Sequence, residues 1–158
     1  MARYVLSVPK PEVAFGFTCW AAALAAWLDV TKRLPGASSI SMQTMFFNLL
    51  DDEGSLPESM FRSVFGTFGM QIEGPIKSSG SRLSPTLTYS KFLQILKTKG
   101  HILMMEKVAG EMAHANVVYG VGVPSDDHFS VLDVGNPSTY RNRRFSSISY
   151  PCYLAYRK

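Results

Sequence analysis

The chain has 158 residues, of which 46% are hydrophobic and 18% charged. This length suits one domain with its own core, and the apolar content excludes a disordered chain. The formal net charge is +4, but the basic residues are dispersed except for Arg141, Arg143 and Arg144. Because no stacking aromatics alternate with these arginines, we interpret them as part of a solvated loop and expect no nucleic-acid partner.

No apolar run reaches the roughly 18 residues that span a bilayer, and the N-terminus lacks the pattern of a signal peptide. We therefore expect no membrane association. The expected location is the cytoplasm, or the target cell of a secreted or injected protein. The two cysteines, Cys19 and Cys152, are too few for a disulfide scaffold. The sequence leaves one bond between them open, but the position of Cys19 favours a reduced thiol.

The first hundred residues carry helical patterns. Residues 1–18 look irregular, and a helix is predicted to begin at Cys19 with Thr18 as its cap. Its apolar face repeats at helical spacing through Trp20, Leu24, Trp27 and Leu28. Further helices are predicted at about 41–50, from Pro57 to Phe68, and at about 90–99.

After residue 100 the period changes to that of strands. Strands are predicted at 101–108, at 114–123, at 129–134 and within 146–156, with a hairpin loop at Pro124–Asp127. Helices followed by antiparallel strands indicate an α+β fold. We predict a single domain over residues 1–158, with a helical lobe at about 1–100 and a β lobe at about 101–158.

Cys19 is the candidate nucleophile because it stands where a loop becomes a helix. Unpaired backbone N–H groups and the positive end of the helix dipole favour a thiolate there. The same N–H groups can form an oxyanion hole. The alternative is a buried structural cysteine, since cysteine is among the most buried residue types.

His114 is the candidate base because it opens the predicted strand 114–123. The hairpin after that strand returns the chain beside His114, which offers Asp133 and Asn136 as groups to orient the imidazole. The alternatives are a structural histidine, a turn role for Asn136 and an ordinary strand position for Asp133.

These residues resemble those of the papain-like cysteine peptidases. The string Thr18-Cys-Trp-Ala-Ala-Ala-Leu24 is similar to their nucleophile helix, and His114-Ala-Asn-Val-Val-Tyr-Gly-Val-Gly122 to their histidine strand. The compact bacterial members, such as staphopains, effector-type peptidases and double-glycine leader peptidases, are the nearest in pattern. The resemblance implies a helical lobe whose nucleophile helix packs on a C-terminal antiparallel sheet, and an Asn or Asp near Asn136-Pro137 as the third catalytic residue.

The sequence departs from this family at the oxyanion hole. The family usually has a glutamine a few residues before the nucleophile, whereas Val13 stands six residues before Cys19. The side-chain donor is therefore unassigned. We expect either Lys10 or a second main-chain donor to act with the Cys19 N–H.

The resemblance implies a cysteine peptidase that cleaves a protein or peptide substrate through an acyl-enzyme. We expect a bacterial effector or toxin domain, for which an inhibitor or immunity protein is a candidate partner. An amidase, deamidase or acyltransferase on the same fold, or an inert binding module, are the alternatives. The scattered histidines and cysteines indicate no metal site, and we expect no cofactor.

Overall fold

The computed structural model describes residues 3–78, 86–108, 111–135 and 137–158, with only the backbone for residues 108 and 111–113. In this part of the chain, seven strands and four α-helices form an α+β fold, as predicted. The helices are α1 (Cys19–Val30), α2 (Ser39–Met45), α3 (Phe61–Gly66) and α4 (Tyr89–Thr98). The strands are β1 (Tyr4–Val5), β2 (Met70–Ile76), β3 (Ile102–Val108), β4 (Glu111–Val121), β5 (His128–Asp133), β6 (Thr139–Arg144) and β7 (Cys152–Arg157).

The seven described strands form one antiparallel sheet with the order β2-β7-β3-β4-β5-β6. The short strand β1 pairs with the far end of β4, where Tyr4 lies opposite Val121. Strands β1 and β2 precede residue 100, so the sheet includes strands from both halves of the chain.

Both faces of the sheet are buried. Successive side chains of a strand point to opposite faces, so neighbouring residues of one strand pack in different parts of the core. On β3, Leu103 and Met105 pack in the core with α1, α2 and α3. Ile102 and Met104 pack on the other face with α4. The sheet therefore lies between two layers of helices. None of the described helices is long and apolar enough to cross a membrane.

Helix α1 is buried along most of its length, in contrast to the single apolar face that we predicted. Residues 19–28 are all buried, because α1 packs between α2 and strands β3 and β4. A helix that is apolar all round fits such a position. The indole N–H of Trp27 is satisfied there, since its Nε1 donates to the His101 carbonyl at 2.9 Å.

The predicted start of α1 at Cys19 is confirmed, but the predicted Thr18 side-chain cap is wrong. The Thr18 hydroxyl instead donates to the Phe15 carbonyl at 2.8 Å and closes the preceding turn. Helix α2 begins earlier than predicted, at Ser39, because Ser38 and Ser41 form a reciprocal capping box. It ends at Met45, before a 3₁₀ turn at Phe47–Leu49.

Two predictions in the β region are wrong. The arginine-rich segment is strand β6, because its backbone pairs with β5 over six positions from His128↔Arg144 to Asp133↔Thr139. Strand β4 begins at Glu111, so His114 lies inside it and opposite Glu106 of β3. The string Ala109-Gly-Glu-Met112 is typical of a turn, but residues 109–110 lie outside the described residues and residues 111–112 belong to β4.

A buried ion pair joins β3 to β6. Glu106 is 2% exposed, and its two oxygens accept from Arg143 Nη1 at 2.5 Å and Nη2 at 2.9 Å. The Ser149 N–H and the Asn116 side-chain amide also donate to this carboxylate. Removing one member of such a pair leaves the other charge buried and uncompensated.

We expect Glu106→Gln to destabilise the protein by about 3 kcal/mol, because the Arg143 guanidinium loses its counter-charge. Urea denaturation followed by circular dichroism measures this change. The matched control is Glu53→Gln, the same substitution at an exposed glutamate, which should leave the midpoint unchanged. Equal midpoints for both variants would contradict this role of the ion pair.

Candidate active site

Cys19 is the first residue of α1 and is 9% exposed. Backbone N–H groups of Ala115, Trp20 and Cys19 itself donate to its sulfur. Burial nevertheless raises the pKa of the Cys19 thiol above its ordinary value, and these hydrogen bonds only reduce that rise. The N–H groups at the helix start thus lower the pKa of the thiol, as expected, but burial, which the sequence did not predict, has the larger effect.

A small cleft at the start of α1 contains the sequence-predicted nucleophile and base. Cys19 and His114 both line it, together with Phe17, Trp20, Ser55, Leu56, Phe61, Met105 and Ala115. The structure thus brings the early helix and strand β4 together at one cleft. Ala115, whose N–H reaches the Cys19 sulfur, directly follows His114 in β4.

His114 is held by a carboxylate on the neighbouring strand. Its Nε2 lies 2.7 Å from Asp133 Oδ1, and its side chain is 33% exposed. The register of β4 and β5 produces this contact, because Asn116, two residues after His114, pairs with Asp133. With Nε2 bonded to Asp133, Nδ1 is the ring nitrogen left to exchange a proton within the cleft.

Asp133 is an ionised carboxylate at neutral pH. Burial alone would raise its pKa, but the hydrogen bond and charge of His114, with the charges of Arg141 and Arg143, lower the pKa below its ordinary value. Arg141 Nε lies 3.5 Å from Asp133 Oδ2. A carboxylate of this kind holds the imidazole in one tautomer and stabilises the imidazolium form.

Of the other two predicted site residues, the structure describes only Lys10. Asn136 lies outside the described residues. Lys10 is 40% exposed, its Nζ lies 3.6 Å from Glu12 Oε1, and it does not contribute to the lining of the cleft. The side-chain donor of an oxyanion hole therefore stays unassigned, whereas the backbone N–H of Cys19 is already at the sulfur.

Sequence reasoning missed the loop that forms one wall of the cleft. Ser55 and Leu56 line the cleft, and the loop is tied to α1 because Trp20 Nε1 donates to the Gly54 carbonyl at 3.0 Å. Trp20 also contacts Phe46 edge-on, with ring centroids 6.4 Å apart. No sequence pattern marked this wall, because it depends on a tertiary contact.

The described residues contain no cluster of side chains suited to bind a metal ion. No group of three or more His, Cys, Asp or Glu side chains there could hold a metal ion.

The overall structure is similar to that of a peptidase domain. It matches the crystal structure of the peptidase domain of Streptococcus ComA, a bi-functional ABC transporter involved in a quorum-sensing pathway, with a TM-score of 0.61. The match covers 95% of this chain and 98% of that chain at 12% sequence identity. No protein-family model matches the chain, and no curated protein matches its sequence. At this identity the likeness concerns the fold alone.

The two cysteines, which form no disulfide, differ in what surrounds them. Burial and the nearby Glu106 charge raise the pKa of the Cys152 thiol to about 12. Cys19, in contrast, shares its cleft with an imidazole that can take its proton.

We expect iodoacetamide at pH 8 to alkylate Cys19 and not Cys152, whose thiolate fraction at that pH is about 10⁻⁴. Peptide mapping by mass spectrometry measures both sites. In His114→Ala, labelling of Cys19 should slow, because its thiolate loses the imidazolium that stabilises it. Equal labelling of the two cysteines, or no effect of His114→Ala, would contradict the pairing.

Proposed function

We propose that this chain is a papain-like cysteine peptidase that hydrolyses peptide bonds, with Cys19 as nucleophile, His114 as base and Asp133 as the orienting residue. The observation that supports this most is the shared cleft of Cys19 and His114, where His114 is bonded to the Asp133 carboxylate at 2.7 Å. A nucleophile, a base and a third group that orients the base make up a nucleophilic triad. The likeness to a peptidase domain adds support from the fold.

The first half of the proposed reaction acylates the enzyme. His114 Nδ1 takes the proton of the Cys19 thiol, and the thiolate attacks the carbonyl carbon of the scissile peptide bond. The resulting imidazolium is stabilised by Asp133. It then donates its proton to the leaving nitrogen, so the C–N bond breaks, an amine departs and a thioester remains on Cys19.

The second half releases the acyl group. His114 takes a proton from a water molecule, and the hydroxide formed attacks the thioester carbonyl. The C–S bond breaks, the carboxylic acid product leaves, and the thiolate of Cys19 is restored beside the imidazolium. One water is consumed for each peptide bond.

The oxyanion of each tetrahedral intermediate needs hydrogen-bond donors near the start of α1. The Cys19 N–H, which already reaches the sulfur, is one such donor in our proposal. The ion pair of Lys10 with Glu12 favours a second main-chain donor over the Lys10 ammonium. Loss of one donor costs on the order of 10²–10³ in rate in a serine peptidase.

Asp133 is a better candidate than Asn136 for the third residue, because Asp133 carries the bond to His114. The effector or toxin role, the cellular location and an inhibitor or immunity protein as partner remain predictions from the sequence.

The test is identification of new N-termini in a proteome-derived peptide mixture after exposure to the wild type and to variants. We expect the wild type to create cleavage sites that Cys19→Ala does not. His114→Ala should lower the cleavage rate by about 10²–10⁴-fold, the usual contribution of general acid–base catalysis. Asp133→Asn should also lower it, because its amide supplies no charge to stabilise the imidazolium.

His128→Ala is the matched control, since His128 lies at the other end of β5 and pairs with Asp127. It should cleave like the wild type. Absence of cleavage by the wild type, or cleavage that persists in Cys19→Ala, would contradict the proposal. Digestion of muropeptides by the wild type in place of proteins would identify the amidase alternative.

A further inference from the structure

A second, wider groove adjoins the cleft on the side of α2. Its volume is about 690 Å³, within the range of ligand-binding pockets. We call it the acidic groove, and it is lined by Ile40, Gln43, Thr44, Phe47, Leu50, Asp51, Asp52, Glu53 and Gly54.

The acidic groove exposes large apolar side chains. Ile40 is 76% and Phe47 74% exposed, and Leu50 belongs to the same lining. Single exposed apolar residues are normal on a protein surface, but these belong to one concavity. Apolar walls with a few polar groups are the usual composition of a site for a ligand.

The charge of the acidic groove is opposite to that of the chain. The formal net charge is +4, yet the lining holds three carboxylates and, among the described residues, no Lys, Arg or His. Asp51 Oδ1 accepts the N–H groups of Glu53 and Ser55, each at 2.9 Å. Asp51 thereby fixes the loop that carries Asp52 and Glu53, and such a lining attracts positive charge.

The acidic groove and the cleft that holds Cys19 are lined by neighbouring parts of one loop. Its lining ends at Gly54, and the next two residues, Ser55 and Leu56, line the cleft. The bond from Trp20 Nε1 to the Gly54 carbonyl holds this junction against α1. A peptide chain in the groove therefore lies next to the loop that forms one wall of the cleft.

We propose that the acidic groove binds the residues of the substrate that flank the scissile bond, and that it selects segments which combine apolar and basic side chains. The apolar side chains bury against Ile40 and Phe47, and the basic ones pair with Asp52 and Glu53. This inference rests on the proposed peptidase function, to which it adds a substrate class.

The experiment compares cleavage-site preferences for the wild type, for Asp52→Asn/Glu53→Gln and for Phe47→Ser, on the same peptide mixture. In the wild type, Lys, Arg and large apolar residues should be enriched on one side of the cleaved bond. The doubly neutralised variant should lose the basic enrichment and cleave such sites about three- to tenfold more slowly, more so at low salt. Phe47→Ser should lose the apolar enrichment.

Asp126→Asn is the control for loss of negative charge elsewhere, because it removes one carboxylate from the hairpin at the far end of β4 and β5, against two in the groove variant. It should retain the wild-type preference. Cleavage that depends on Cys19 but shows no basic preference, or the same preference in the neutralised variant, would overturn this inference alone. Absence of any Cys19-dependent cleavage would overturn the peptidase proposal, and this inference with it.

Discussion

The packing of α1 against strands β3 and β4 is the contact on which the rest of the structure depends. Alanines at positions 21, 22, 23, 25 and 26 are fully buried, and their small side chains let the helix lie close to the sheet. This close approach sets the start of α1 against β4, so that the Ala115 N–H reaches the Cys19 sulfur. The presence of Cys19 and His114 in one cleft follows from it.

The same packing has two opposite effects on the pKa of the Cys19 thiol, since burial raises it and backbone N–H groups lower it. Taking the Cys19 thiol out of water raises its pKa, which by itself would make the cysteine inert. Three backbone N–H groups oppose this effect only in part. In the mechanism that we propose, a proton acceptor in the same cleft supplies the reactivity, and His114 with the Asp133 carboxylate behind it is that acceptor.

The parts of the structure that the sequence predicted are those set by local patterns. The start of α1 and its apolar spacing place Cys19, and the β-branched run after His114 with its hairpin leads to Asp133. Strand β6 was not predicted because exposed arginines show no local pattern typical of a strand. Their extended conformation depends on pairing with β5. The raised pKa of Cys19 and the wall at Ser55–Leu56 depend on long-range packing, which spacing along the chain does not report.

The pH dependence of thiolate absorbance tests the central claim most directly, since the claim is that His114 stabilises the Cys19 thiolate. The ultraviolet difference between the wild type and Cys19→Ala isolates this one thiol, and the same difference in a His114→Ala background removes its partner. We predict that the thiolate signal appears at a lower pH when His114 is present. Identical titrations with and without His114 would contradict the account.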